Sequence, residues 1–173
     1  MALYKEIVTK AIVGKGKKIF KNTYEVEVEN TPTTVLGCWV INHKFKGYKN
    51  NDNIGINGTF DINIWYSYDN DSKTTVVNKT IDYDEIINVK IKEESDISND
   101  TDIIVRVLKQ PKCSKVNIKD NNIITFDIEK ELGVELVGEA KVKISVEGEE
   151  AWDEIDEDID VDKEINNINE NYI

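Results

Sequence analysis

The sequence predicts an all-β protein: an antiparallel β-sandwich of about eight strands with an acidic C-terminal tail or short helix. Three observations carry that expectation. From Asn53 to Asp69, apolar and polar residues alternate for longer than in an ordinary strand. Ile54, Ile56, Gly58, Phe60, Ile62, Ile64, Tyr66 and Tyr68 share one parity, and Trp65 is the single large residue on the other. Strand side chains alternate between faces, so one side of this ribbon belongs on a core and the other at a surface. Val134 to Val146 repeats the pattern, with Val134, Leu136, Gly138, Ala140, Val142, Ile144 and Val146 on the inward parity. Finally, nothing before residue 147 has a period of 3.6, while strand-like runs follow one another with Gly, Asn, Asp and Pro between them. Such a series reads as a sandwich.

The elements follow in order. Ile7 to Val13 alternates until Gly14 and Gly16, where the run GKGKK (14–18) reads as a Gly-rich hairpin bend. It lacks the spacing of a phosphate loop. Ile19 to Val28 resumes the pattern with Tyr24, Val26 and Val28 on one face, and Asn30–Thr34, with Pro32, is a loop. Val35 to Phe45 is apolar on nearly both faces, which suits a central, doubly covered strand. Tyr48–Asn53 and Asp69–Lys73 are turns at the two ends of the long ribbon. At ~3.3 Å per residue that ribbon would span about 50 Å, so it must bend, cross between sheets or pair outside its own domain. Gly58 is the predicted bend or bulge. Thr74–Tyr83, Ile86–Ile91, Ile103–Leu108, Val116–Ile118, Ile123–Ile128 and Val134–Val146 complete the strands, with a polar loop at Glu93–Asp102.

With 39% apolar residues in 173, the chain can build one domain with its own core and needs no disulfide staples. The expected organisation is a β-sandwich body over 1–146 and an acidic tail over 147–173, of a kind that recruits partners or holds a protein in solution. That last segment holds 12 acidic residues and one base, Lys163, and so −11 of the net −12. The remaining body, with 22 acids and 21 bases, is nearly neutral. This balance argues against nucleic acid as a partner. No run approaches the length of a membrane span, so no membrane insertion is expected. The start MALYKEIVTKAIVGKGKK carries charges inside its apolar stretch, unlike a signal peptide, and a cytosolic setting is expected. Within the tail, Trp152, Ile155, Ile159, Ile165 and Ile168 fall at helical steps. The segment reads either as a solvating disordered tail or as a helix, intrinsic or formed on a partner.

Chemistry-bearing residues are few. His43 is the only histidine and sits on an alternating apolar strand, where a hydrogen-bonded core or rim role is expected. Cys38 has the opposite parity, so a regular strand would keep the two apart. Cys38 and Cys113 read as buried free thiols; a disulfide between them is the alternative, which a reducing compartment disfavours. One histidine and two scattered cysteines are too few for a tetrahedral zinc site. Asp156, Asp158, Asp160 and Asp162 alternate like a calcium loop, but Val161 and Asn167 stand where that loop needs Gly and Glu. No catalytic residue, cofactor or metal is therefore expected.

The aromatic residues remain. Cross-strand pairing of Tyr66 and Tyr68 would be a structural role, worth roughly 0.2–1 kcal/mol per pair. Trp65, on the polar side of the ribbon, is either an exposed ring able to stack on a sugar or a protein, or is covered by a second layer. Two functional readings follow. One is contact with a protein partner through Trp39, Trp65, Tyr66 and Tyr68, which the family resemblance given next would make self-assembly at an edge or end of the long ribbon. The other is a carbohydrate-binding or other surface-recognition module.

Several strings carry a family resemblance: YKEIVTKAIVGKGKKIFK (4–21), VLGCWVINHKF (35–45), GTFDINIWYSYDNDSKT (58–74), VRVLKQPKCSKVNI (105–118) and VELVGEAKVKISV (134–146), with Trp152 leading into an acidic end. They resemble the outer spore-coat morphogenetic protein family, CotE, of endospore-forming bacteria. The resemblance implies a non-enzymatic scaffold that forms homo-oligomers around the developing spore in the mother-cell cytoplasm and becomes part of the spore coat. It further implies docking on coat basement and encasement proteins, and recruitment of outer-coat proteins through the C-terminal region, here Trp152, Ile155, Ile159, Ile165 and Ile168. The ending INNINENYI departs from the family pattern in being shorter and less uniformly acidic, which bears on which partners are recruited.

Overall fold

In a computed structural model of the chain, residues 3–92 and 100–146 are described. They form seven strands: β1 (Leu3–Glu27), β2 (Pro32–Asn50), β3 (Asn53–Tyr68), β4 (Lys73–Ile87), β5 (Lys90–Ile91), β6 (Asp102–Asp120) and β7 (Ile123–Val146). Two antiparallel sheets result, one in the order β5-β1-β7-β6 and the other β2-β3-β4, as the all-β sandwich class requires. The chain divides into two compact units. Lys10–Ala140 is the larger; of the smaller, the described residues are 3–9 of β1 and 141–146 of β7. In that smaller unit residues 3–9 are all exposed, and Lys143 lies 3.8 Å from Glu6.

The strands are fewer and longer than the sequence suggests, because residues read as breakers are accommodated within strands. GKGKK is no hairpin bend: β1 runs straight through it. Gly16 is needed there for close approach, since a Cβ at that position would overlap the carbonyl oxygen of Asn88 in the β4–β5 connection. Likewise 103–108 and 116–118 join into β6, across Pro111. Proline cannot donate to a ladder, and both prolines fall where that is tolerated. Pro32 opens β2, Pro111 lies in β6 beside a register shift between Lys109 and Lys112, and both strands are sheet edges.

The core is the meeting of β3 with β7. Ile54, Ile56, Phe60, Ile62 and Ile64 from one sheet, and Ile124, Phe126, Ile128, Leu132 and Leu136 from the other, are almost fully removed from water. Tyr24 of β1 joins the layers, stacked on Phe126 at 5.7 Å and edge-on to Phe60 at 6.2 Å. The parity read from the sequence for Asn53–Asp69 is the one observed.

The ribbon carries no bulge at Gly58, however. β3 pairs with β4 in one unbroken register from Ile54↔Ile87 to Tyr68↔Lys73. Gly58 lies opposite Tyr83, whose ring occupies the space that a Cβ would take. The irregularities fall instead on β2, at Pro32/Thr34, Val35/Gly37 and Ile41/Lys44. β3 is bonded along both sides and offers no free edge, which corrects the expectation that an edge of the ribbon mediates assembly. β2, expected to be central, is an edge strand; its second apolar face is a surface. The predicted turns are present, with Asn51, Asp69, Asn70 and Asp71 at φ of 52°, 51°, 54° and 64°, a left-handed region that Asn and Asp enter more readily than most residues.

Candidate assembly surface

The outer face of the three-stranded sheet carries the residues of β3 that oppose its core parity. Asn57, Thr59, Asp61, Asn63 and Trp65 alternate there. The ladder sets Gly37 opposite Trp65, and Trp39 opposite Asn63. Gly37 has no side chain, so the Trp39 ring lies back over it; a Cβ there would stand 2.8 Å from that ring. The two indoles consequently meet, with centroids 6.2 Å apart and planes inclined by 24°. Trp39 remains 45% exposed and Trp65 40%. Ile41, two residues beyond Trp39, and Val76, opposite Trp65 on β4, are exposed beside them. Two of four predicted assembly residues are thus brought together on a surface.

The other two are not. Tyr66 is 2% exposed and belongs to the core, and Tyr68 is half-buried against it. Both share the inward parity of β3, so the aromatic run splits between two faces. Their centroids lie 6.4 Å apart along the strand. Trp152, Ile155, Ile159, Ile165 and Ile168 lie outside the described residues.

Next to the indole pair the surface turns polar. Asp61 accepts hydrogen bonds from Asn42 Nδ2 at 2.8 Å and Thr80 Oγ1 at 2.7 Å. Those two bonds hold its carboxyl below the usual carboxylate range, with a further lowering from the Lys44 cation. A depression of about 370 Å³ is lined by Ile41, Asp61, Asn63, Asn78, Lys79 and Thr80. It is shallow ground beside an aromatic step.

Asn42 also reorganises the strand. At φ 56° it sits inside the register shift between Ile41 and Lys44. An extra residue in one strand reverses the parity that follows it. His43 therefore turns inward, to the side that Cys38 and Val40 already occupy, against the expectation from a regular strand. The two side chains take different partners. His43 Nδ1 donates to Gln110 Oε1 at 3.3 Å, which leaves Nε2 to accept from the Tyr83 hydroxyl at 2.6 Å. Burial holds the His43 pKa below its usual value, opposed by the Gln110 bond and aided by the Lys130 cation. Tyr83 is pushed up to about 12 by burial and by the Glu85 charge.

Lys130 anchors that interior. It is 0% exposed, with Nζ 2.9 Å from Glu85 Oε1 and 4.2 Å from the centre of the Tyr83 ring. Asn22 Nδ2 donates to the same carboxylate oxygen at 2.7 Å. Among the described residues, every buried side-chain nitrogen and oxygen has a partner. Sequence reasoning missed this cluster, although its signal was present: Lys130 stands on the core parity of β7, between Ile128 and Leu132.

The described residues thus form a β-sandwich with satisfied interior polar groups and a paired, exposed aromatic step on one sheet face. The chain matches the family model of outer spore coat protein E (CotE) over residues 3–173, and it belongs to that family of spore coat proteins. No curated protein and no solved structure matches it.

Proposed function

We propose that this chain is a non-enzymatic scaffold of the outer spore coat, which self-associates through the outer face of its three-stranded sheet and recruits further coat proteins through residues 147–173. The supporting observation is the Trp39–Trp65 pair, two large rings left in water at 6.2 Å from each other, with Ile41 and Val76 exposed beside them. Aromatic rings are enriched where proteins meet, because they bury much area while losing little conformational freedom. A coat multiplies modest contacts by repetition, so a patch of a few side chains suffices. Tyr66 and Tyr68 have no part in the proposed contact. Assembly would begin in the mother-cell cytoplasm, on the basement and encasement layers.

Trp65→Ser tests the reading. The variant should fold, because Trp65 is outside the core, and its oligomers should need roughly tenfold more protein to persist on dilution, a loss of about 1.4 kcal/mol per contact. Light scattering with unchanged particle mass across a dilution series would overturn it. A carbohydrate-recognition module would use the same indoles beside Asn63 and Asn78. That alternative predicts lost polysaccharide binding with oligomer size unaltered.

A further inference from the structure

Two cysteines occur in 173 residues, 75 positions apart, on two strands that the fold sets against each other. Cys38 is on β2 and Cys113 on β6, edge strands of different sheets that share no backbone ladder. The two strands nonetheless lie side by side. His43 reaches Gln110 at 3.3 Å, and the space above Gly47 is filled by Ile103 and Val105, each 2.8 Å from where a Cβ would stand. From 38 through 43 to 47 on β2, the facing positions on β6 run backwards from 113 through 110 to 105 and 103. Continued by one step, that side-chain ladder sets the two thiols opposite each other, and each is the largest influence on the other's acidity. Both are half-buried, and both pack on the same core.

We propose that Cys38 and Cys113 form an intramolecular disulfide that staples β2 to β6, along a side of the sandwich where no ladder joins the sheets. The oxidant is a low-molecular-weight disulfide, RSSR. Cys113 attacks first, its pKa held down beside the Cys38 thiol, whose own is raised. A mixed disulfide forms at Cys113 and one RS⁻ leaves. Cys38, having lost its proton to solvent, attacks Cys113 Sγ and expels the second RS⁻. The two leaving thiolates take up the two cysteine protons, so two thiols and RSSR become one protein disulfide and two RSH. Closing a long loop restricts the unfolded chain and raises stability.

Glutathione disulfide applied to the full-length chain, under native conditions, is the test. Intact mass should fall by two hydrogens with no glutathione retained. An unreduced peptide map should join the Cys38 and Cys113 peptides within one chain. The thermal midpoint should rise by roughly 10 °C and return on reduction. Stable glutathione adducts on both cysteines would overturn the proposal, and so would disulfide-linked dimers as the main product. The wild-type chain carries the experiment, so the result does not depend on a cysteine variant folding.

Discussion

Lys130 occupies a position that the pattern of β7 reserves for an apolar residue, and its ammonium is held there by Glu85 at 2.9 Å and by the Tyr83 ring at 4.2 Å. Breaking a buried pair from one side strands the other charge, at a cost of about 3–5 kcal/mol, whereas replacing both members with apolar groups is often neutral. Lys130→Met should therefore lower the urea midpoint by that equivalent, and Lys130→Met combined with Glu85→Leu should recover most of it. His43 gives a pH signature. Its folded pKa is depressed below the usual 6.5, chiefly by burial. As pH falls through 6.5 the unfolded chain takes up protons that the folded chain refuses, so stability present above that pH is lost on the way down. His43→Gln should flatten that acid limb of the stability profile, measured by chemical denaturation at a series of pH values.

At the scale of elements, strands differ in how much their sequences disclose. β3 was legible because one of its faces is wholly buried, so period-two alternation survives from Ile54 to Tyr66. The same parity placed Trp65 outward. β2 was not legible past Ile41, because one left-handed Asn42 reverses the register, and several residue types could have stood there. The glycines of β1 and β3 misled for a related reason. A missing side chain reads as a break, yet Gly16 and Gly58 are small to let a carbonyl and a ring come close. Gly58→Ala should therefore cost about 1–3 kcal/mol through displacement of Tyr83, as overpacking does. The readout is a lowered thermal midpoint with the β-sheet circular-dichroism spectrum preserved. The Cys38–Cys113 rung was invisible because it depends on which edges of two sheets face each other, and pairing across sheets leaves no periodic trace.

For the whole molecule, charge separates the body from the C-terminal segment. Deleting 147–173 removes −11 of the net −12 and leaves −1. The truncated chain should keep its β circular-dichroism signal and still self-associate. Its particle mass in light scattering should change less between low and high salt than that of the full chain, since fixed charges repel over a Debye length of about 10 Å at 0.1 M. The central place of β3 has a further bearing on a protein that works at high local density. Its sixteen residues, with Asp61 the one charge and no proline, have the character of a cross-β template, and neighbours occupy both of its flanks along its length. That hazardous segment can be unsheathed only by peeling away β2 or β4, so crowding of intact subunits should favour ordered packing over fibrils.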